Sequence, residues 1–208
     1  MNHYIKAEGF GVRLRPVRQD DAAFIVWLRN LDHVRGRIGD SASDVACQQK
    51  WLELYFNRAD DFYFIVETLT GVPVGTYSLY NINGLRAESG RWIIRPEVPA
   101  ALPSVFVLYD LAFCQLKFTE LNGSTVATNQ SVLSINRKLG WQQTRVESSA
   151  RHIGGQTIDL IHFVLTPSAW AKARMRLLPL ARLAECQMGK WESTQCDKWG
   201  ASSLVSRQ

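Results

Sequence analysis

A chain of 208 residues, 46% hydrophobic and 21% charged, can fill one substantial core, and its length favours a single main domain with a small appendage. The formal net charge of +5 suits an anionic ligand such as a nucleotide, but the Lys and Arg residues are dispersed instead of forming a basic stripe interleaved with aromatics, which argues against nucleic acid as a partner. No apolar run approaches the roughly 20 residues that span a bilayer, and MNHYIKAEGFGVRLRP lacks the apolar stretch of a signal peptide, so the chain reads as cytoplasmic with no membrane partner.

VRLRPV at 12–17 alternates as a short strand, and Asp20 or Asp21 can cap a helix with Phe24, Trp27, Leu28 and Leu31 on its apolar face. A second helix is expected from Ser43 or Asp44, burying Val45, Trp51, Leu52, Tyr55 and Phe56. FYFIVET at 62–68, VPVGTYSLYNI at 72–82 and ESGRWIIR at 88–95 are rich in aromatic and β-branched residues and are separated by Thr70-Gly71 and Asn83-Gly84, the pattern of an antiparallel meander. Ser104 can then cap a helix with Val105, Leu108, Tyr109, Ala112 and Leu116 on one face, ending near Asn122-Gly123.

STVATN is expected as a further strand, followed by a helix from about Gln130 to Leu139 that Gly140 closes in a left-handed conformation. Two more strands flank a Gly154-Gly155 turn. After Pro167 a helical stretch is expected to break at Pro179, and the polar residues from Glu192 to frayed ends. The sum is a mixed α/β fold around one sheet. Cys47, Cys114, Cys186 and Cys196 form no CxxC pair, and His3, His33, His152 and His162 make no metal-like spacing with them, so buried or free thiols are expected and no metal.

This order of elements resembles the GNAT superfamily of acyl-CoA-dependent N-acetyltransferases over roughly residues 10–166. LRPVRQDDAAFIVWLRN is similar to the family's first strand and helix, AESGRWIIRPE to its AEIGYWI.PE strand, and NQSVLSINRKLGW to its N..S....KLGF segment. The resemblance implies a mostly antiparallel sheet flanked by helices over residues 1–166, with residues 167–208 a helical extension and tail. It also implies acetyl-CoA as acyl donor and a small-molecule amine as acceptor, and leaves a homodimer open.

The site residues follow by position. Trp92, Ile93 and Ile94 match a strand that splays from its neighbour and offers backbone groups to pantetheine, although their side chains fit an ordinary buried strand equally well. Glu88 matches a glutamate that serves some relatives as general base, directly or through water; the alternative is a solvated strand-end carboxylate. Asn129 matches an asparagine that contacts the acyl-CoA chain, and it can also cap the following helix. The tyrosine that many relatives use as thiolate acid is replaced by Asn136; bulk water is one alternative, and Tyr80 and Tyr109 are conceivable substitutes whose other reading is a packing role.

After Pro96-Glu97 the family has an Arg or Gln and spaced glycines that bind the coenzyme pyrophosphate, whereas VPAALPS has no glycine and two prolines without amide protons. The expected substitute is a helix N-terminus presenting the amides of Ser104, Val105 and Phe106. WLRNLDHVR and VACQQKWLELYF resemble the W.RN...VR and H..W segments of relatives that act on nucleotide-linked amino sugars, with Gln48 in place of the histidine. Arg29, Asn30 and Trp51 are therefore substrate-binding candidates. Acetylation of a protein N-terminus and a GNAT-fold binding protein without transfer activity are the rival readings.

Overall fold

The computed structural model describes residues 3–32, 34, 44–153 and 156–204. Eight strands form one sheet in the order β1-β2-β3-β4-β5-β6-β8-β7: β1 Ala7–Gly9, β2 Val12–Pro16, β3 Phe62–Thr68, β4 Pro73–Asn83, β5 Arg86–Ile94, β6 Glu120–Val126, β7 Gln142–Ile153 and β8 Gln156–Leu165. Every pairing is antiparallel except β5 with β6.

Helices cover both faces. The apolar run of β3 explains why: Tyr63 and Ile65 pack with Val17, Ile25, Leu52 and Tyr55 beneath α1 (Ala22–Arg29) and α2 (Val45–Tyr55). Phe64 and Val66 point the other way, into the main core with α3 (Ala101–Asp110) and α5 (Pro167–Leu204). A strand buried on both faces reads as a continuous apolar segment instead of an alternating one. α4 (Gln130–Leu139) follows β6 and ends where α5 begins to cross it. Among the described residues no helix is long and apolar enough to cross a membrane.

Several expectations are met closely. Asp44 caps α2 by accepting from the Cys47 amide at 2.8 Å, and the Asn129 side chain accepts from the Val132 amide at the start of α4. Gly140 closes α4 with φ 88°, and the Trp141 amide donates to the Asn136 carbonyl at 3.0 Å.

Others are corrected. Neither Asp20 nor Asp21 makes a side-chain cap on α1: Asp21 accepts from the Arg18 amide in a short 3-10 turn and from Arg15 at 2.7 and 2.8 Å. The buried face of α1 is Ala22, Ile25 and Leu28, while Trp27 is 46% exposed. α3 begins at Ala101, so Ser104 lies inside it and its amide already donates to the Ala100 carbonyl at 2.9 Å. That helix passes through a π-helical turn, Leu111–Gln115, and is over well before Asn122-Gly123, a pair that belongs to β6.

α5 does not break at Pro179, and it runs on through the stretch read as frayed. The proline is on the exposed side, where the carbonyl it deprives of a partner can turn to water, while Leu177 and Ala181 hold the flanking turns in the core. The expected Gly154-Gly155 turn lies outside the described residues.

Gly140→Val is expected to cost at least about 1 kcal/mol, because a β-branched residue resists positive φ. The new Cβ would also stand 3.1 Å from the Ala169 carbonyl oxygen. Denaturant unfolding of the variant against the native protein checks this.

Candidate active site

β5 and β6 pair over only three positions, Arg86↔Glu120, Ala87↔Leu121 and Glu88↔Asn122. β5 continues to Ile94 and β6 to Val126, yet they share no further ladder and diverge. On the β4 side, Ser78 pairs with Gly90 but Thr76 with Ile93, which leaves Arg91 and Trp92 in a bulge. Arg91 has φ 52°, and its carbonyl accepts from the Thr76 hydroxyl at 2.8 Å. Gly123 sits at the root of the splay, where a Cβ would come within 3.3 Å of the Trp141 ring and 3.5 Å of the Ser89 carbonyl oxygen.

The diverging strands open a cavity of about 400 Å³. Its strand walls are Ser89 to Ile93 and Gly123 to Val126, with Asn129, Val132 and Asn136 of α4 and its cap along the edge. Beneath lies a buried hydrogen-bonded cluster in which the Tyr109 hydroxyl accepts from Tyr77 at 3.0 Å and from the Trp141 indole at 3.1 Å. Trp92 stacks on Tyr77 and donates from its indole to the Ser104 hydroxyl at 3.1 Å.

The structure thus brings Trp92, Ile93 and Asn129 to one cavity and leaves others out. Ile94 lies past it, its Cδ1 filling the space over Gly75. Ser104, Val105 and Phe106 are buried within α3, so the proposed presentation of their amides is corrected. The helix-terminal amides without an intrahelical partner belong one turn earlier, to Ala101 and Leu102, since Pro103 has none.

On the sheet face toward α1 and α2, Glu88 accepts from the Asn81 amide at 2.9 Å and lines a recess of about 290 Å³ with Ser124, Arg145 and His162. His162 bonds Glu147 through Nε2 at 2.9 Å. Tyr80 pairs with Glu88 across the β4–β5 ladder, and its ring lies under the Arg91 guanidinium at 4.5 Å. Burial first, and the Glu88 charge second, push the Tyr80 hydroxyl up to about 12.

Arg29 and Trp51 line a third cavity of about 480 Å³ together with Gln48, Arg58, Tyr63 and Arg91. Asn30 does not reach it: its side-chain amide donates to the Val26 carbonyl at 2.9 Å and helps to end α1. Asp61, 2% exposed at its side chain, accepts twice from Arg91 at 2.7 and 2.9 Å. Burial pulls the Arg29 guanidinium down from its ordinary value, and the like charge of Arg91 adds to this.

A family model of the acetyltransferase (GNAT) domain matches residues 12–142, more than half of the chain. The chain belongs to the GNAT acetyltransferases. Among solved structures it is similar to a GCN5-related N-acetyltransferase from Brucella melitensis, at 17% identity and a TM-score of 0.73, covering 86% of each chain. It is similar to apo FdhC, described as a nucleotide-linked sugar GNAT, at 27% identity and a TM-score of 0.67, covering 88% of this chain and 98% of that one. It is also similar to Mycobacterium smegmatis RimJ in complex with CoA-disulfide, at 19% identity and a TM-score of 0.69, covering 86% and 94%. No curated protein matches it.

Sequence reasoning did not single out Arg91, Asp61, Tyr77 or Trp141. A β-bulge leaves no residue-level mark when it falls on Arg-Trp instead of on glycine. The two available signals were Gly90 inside a strand pattern and the paired aspartates at 60 and 61, next to an aromatic strand.

Burial pushes up the hydroxyls of Tyr63, Tyr77 and Tyr109 as it does that of Tyr80. The folded state therefore holds protons above pH 10 that the unfolded state has released, and stability is retained below about pH 10 and falls as pH rises toward 12. Ionisation of these four tyrosines is expected to lag behind that of free tyrosine and to be completed on alkaline unfolding. Absorbance near 295 nm (roughly the tyrosinate band) together with circular dichroism checks this.

Proposed function

We propose that this protein is an acetyl-CoA-dependent N-acetyltransferase that modifies a primary amine on a small molecule, with a nucleotide-linked amino sugar as acceptor. The observation that carries the reading is the splay of β5 from β6 just beyond Glu88, which opens the sheet between a coenzyme-sized cavity and a face bearing a carboxylate. The likeness to FdhC, a nucleotide-linked sugar GNAT, and the arginine-lined cavity support the choice of acceptor. Residues 1–166 form the acyltransferase unit in this reading and residues 167–208 its extension.

The strand edges fit the donor. Beyond the last shared pair, backbone groups of β5 face β6 without a ladder partner, and an extended amide chain can take up those bonds. Acetyl-CoA supplies a thioester-activated acetyl group. Trp92, Ile93 and Asn129 would hold its pantetheine, and the amides of Ala101 and Leu102 would receive its pyrophosphate.

The chain's own groups then divide the work. A protonated amine is no nucleophile, and Glu88, at the open face and oriented by Asn81, accepts its proton directly or through water. Arg29 and Trp51 position the acceptor. Tyr109 sits at the cavity floor, its oxygen accepting from Tyr77 and Trp141 and its hydroxyl beside Ser89.

The proline-bearing turn before α3, with fewer amide donors than a glycine-rich loop, favours a second reading in which the fold binds without transferring. Incubation with acetyl-CoA and a panel of amino-sugar nucleotides, free amino sugars and peptide N-termini, followed by detection of the released thiol, separates the two. Thermal stabilisation by acetyl-CoA with no thiol release from any amine would sink the catalytic reading. Glu88→Gln is expected to keep the fold and lower kcat by about 10²-fold or more, as loss of a general base commonly does. Its pH–rate profile should lose the acidic limb, and an unchanged profile would remove Glu88 from the chemistry.

A further inference from the structure

Arg29 closes the last turn of α1 and stands on the wall shared by the two larger cavities. Two further guanidiniums, of Arg58 and Arg91, line the same cavity. Arg91 has two hydrogen bonds to Asp61, and Arg58 reaches the same carboxylate at 3.6 Å. Arg29 itself is half-buried, its Nε is shielded from solvent and has no hydrogen-bond partner, and burial, with the like charge of Arg91 as a smaller contribution, disfavours its charged form. Removing a guanidinium from water without pairing it destabilises a fold, and such a residue persists where a ligand completes it.

We propose that Arg29 is the anchor for an anionic group, a phosphate or a carboxylate, carried by the acceptor amine. This rests on the acetyltransferase reading and narrows it: the acceptor is an amine that also bears a negative charge, and polyamines are excluded. The guanidinium fork matches two oxygens of either anion, and closure by an anion satisfies the bare Nε. Arg91 adds attraction from the same wall while Asp61 holds it in place. Trp51 is not a free stacking surface, since the Arg58 and Arg91 guanidiniums lie against its ring at 5.7 and 5.3 Å. Recognition therefore falls on charge.

The test titrates the full chain with inorganic pyrophosphate, succinate and spermidine under saturating CoA, which occupies any pyrophosphate site of the coenzyme. The native protein should bind pyrophosphate if the anchor takes phosphate, or succinate if it takes carboxylate, and should not bind spermidine. Arg29→Gln should weaken that binding about tenfold or more and Arg29→Lys less, since a single ammonium lacks the fork. Without any anion, Arg29→Gln should unfold at a higher temperature than the native protein, because an uncompensated charge has been removed; a merely structural arginine would give the opposite.

Equal binding by the native protein and Arg29→Gln, binding of neither anion, or a lower melting temperature for Arg29→Gln would each overturn the proposal. CoA binding is read in the same series. CoA bound without an anion site would sink this inference and leave the acetyltransferase reading standing. An Arg29-dependent anion site without CoA binding would sink the acetyltransferase reading and with it the acceptor role proposed for Arg29.

Discussion

Past Glu88 and Asn122 the two middle strands cease to share hydrogen bonds, and much of the molecule is arranged around that separation. Unpaired strand edges inside a sheet are costly unless something else satisfies them. Here the cost is contained by making each strand secure on its other side: β5 is held along β4, and β6 by six consecutive pairs with β8. The bulge at Arg91 and Trp92 and the Gly123–Trp141 contact set where the separation begins. What remains is a gap with rigid walls, which is the condition under which backbone groups can serve as a preorganised binding surface.

The two faces of the gap differ in chemistry. Toward α3 the groups are neutral and interlocked: Tyr77 and Trp141 both donate to Tyr109, while Trp92 stacks on Tyr77 and donates to Ser104. Toward α1 and α2 the groups are charged: Glu88, Arg29, Arg58, Arg91 and Asp61. A long uncharged chain suits the first environment and an ionisable acceptor the second. Separation of this kind lets one carboxylate stay near water while the neutral side is kept drier, which is what the proposed general-base role would need.

Much of the architecture was legible because the signals were local. The strands β3 and β4 declare themselves by aromatic and β-branched runs, and α4 by an asparagine at one end and a glycine at the other. The misreadings arose where tertiary context overrode a local cue. Ser104 looks like a cap, but α3 starts three residues earlier and the hydroxyl is used by Trp92. Asn122-Gly123 looks like a stop, but a π-helical turn had already ended the helix and the small residue is needed against Trp141. Trp27 looks like core, yet the buried stripe of α1 is rotated to Ile25 and Leu28. Of the residues that line the cavities, Glu88, Trp92, Ile93 and Asn129 were reachable through the family resemblance. The Arg91–Asp61 pair was not, since it joins residues 30 positions apart through a bulge whose existence depends on β4.

α5 begins beside the end of α3, where Trp170 and Arg174 both hold Asp110, and continues until Met188 covers Gly11 in the turn between β1 and β2. Val12 and Met188 therefore belong to one core cluster with the strands between them. During synthesis the chain emerges from the N-terminus, so β1 and β2 must wait for α3, which packs on both, and then for α5 before this apolar face of the core is closed. Until then that apolar face is open to other chains, and protection by chaperones or fast completion of the sheet matters more for this protein than for one whose first elements close on their near neighbours.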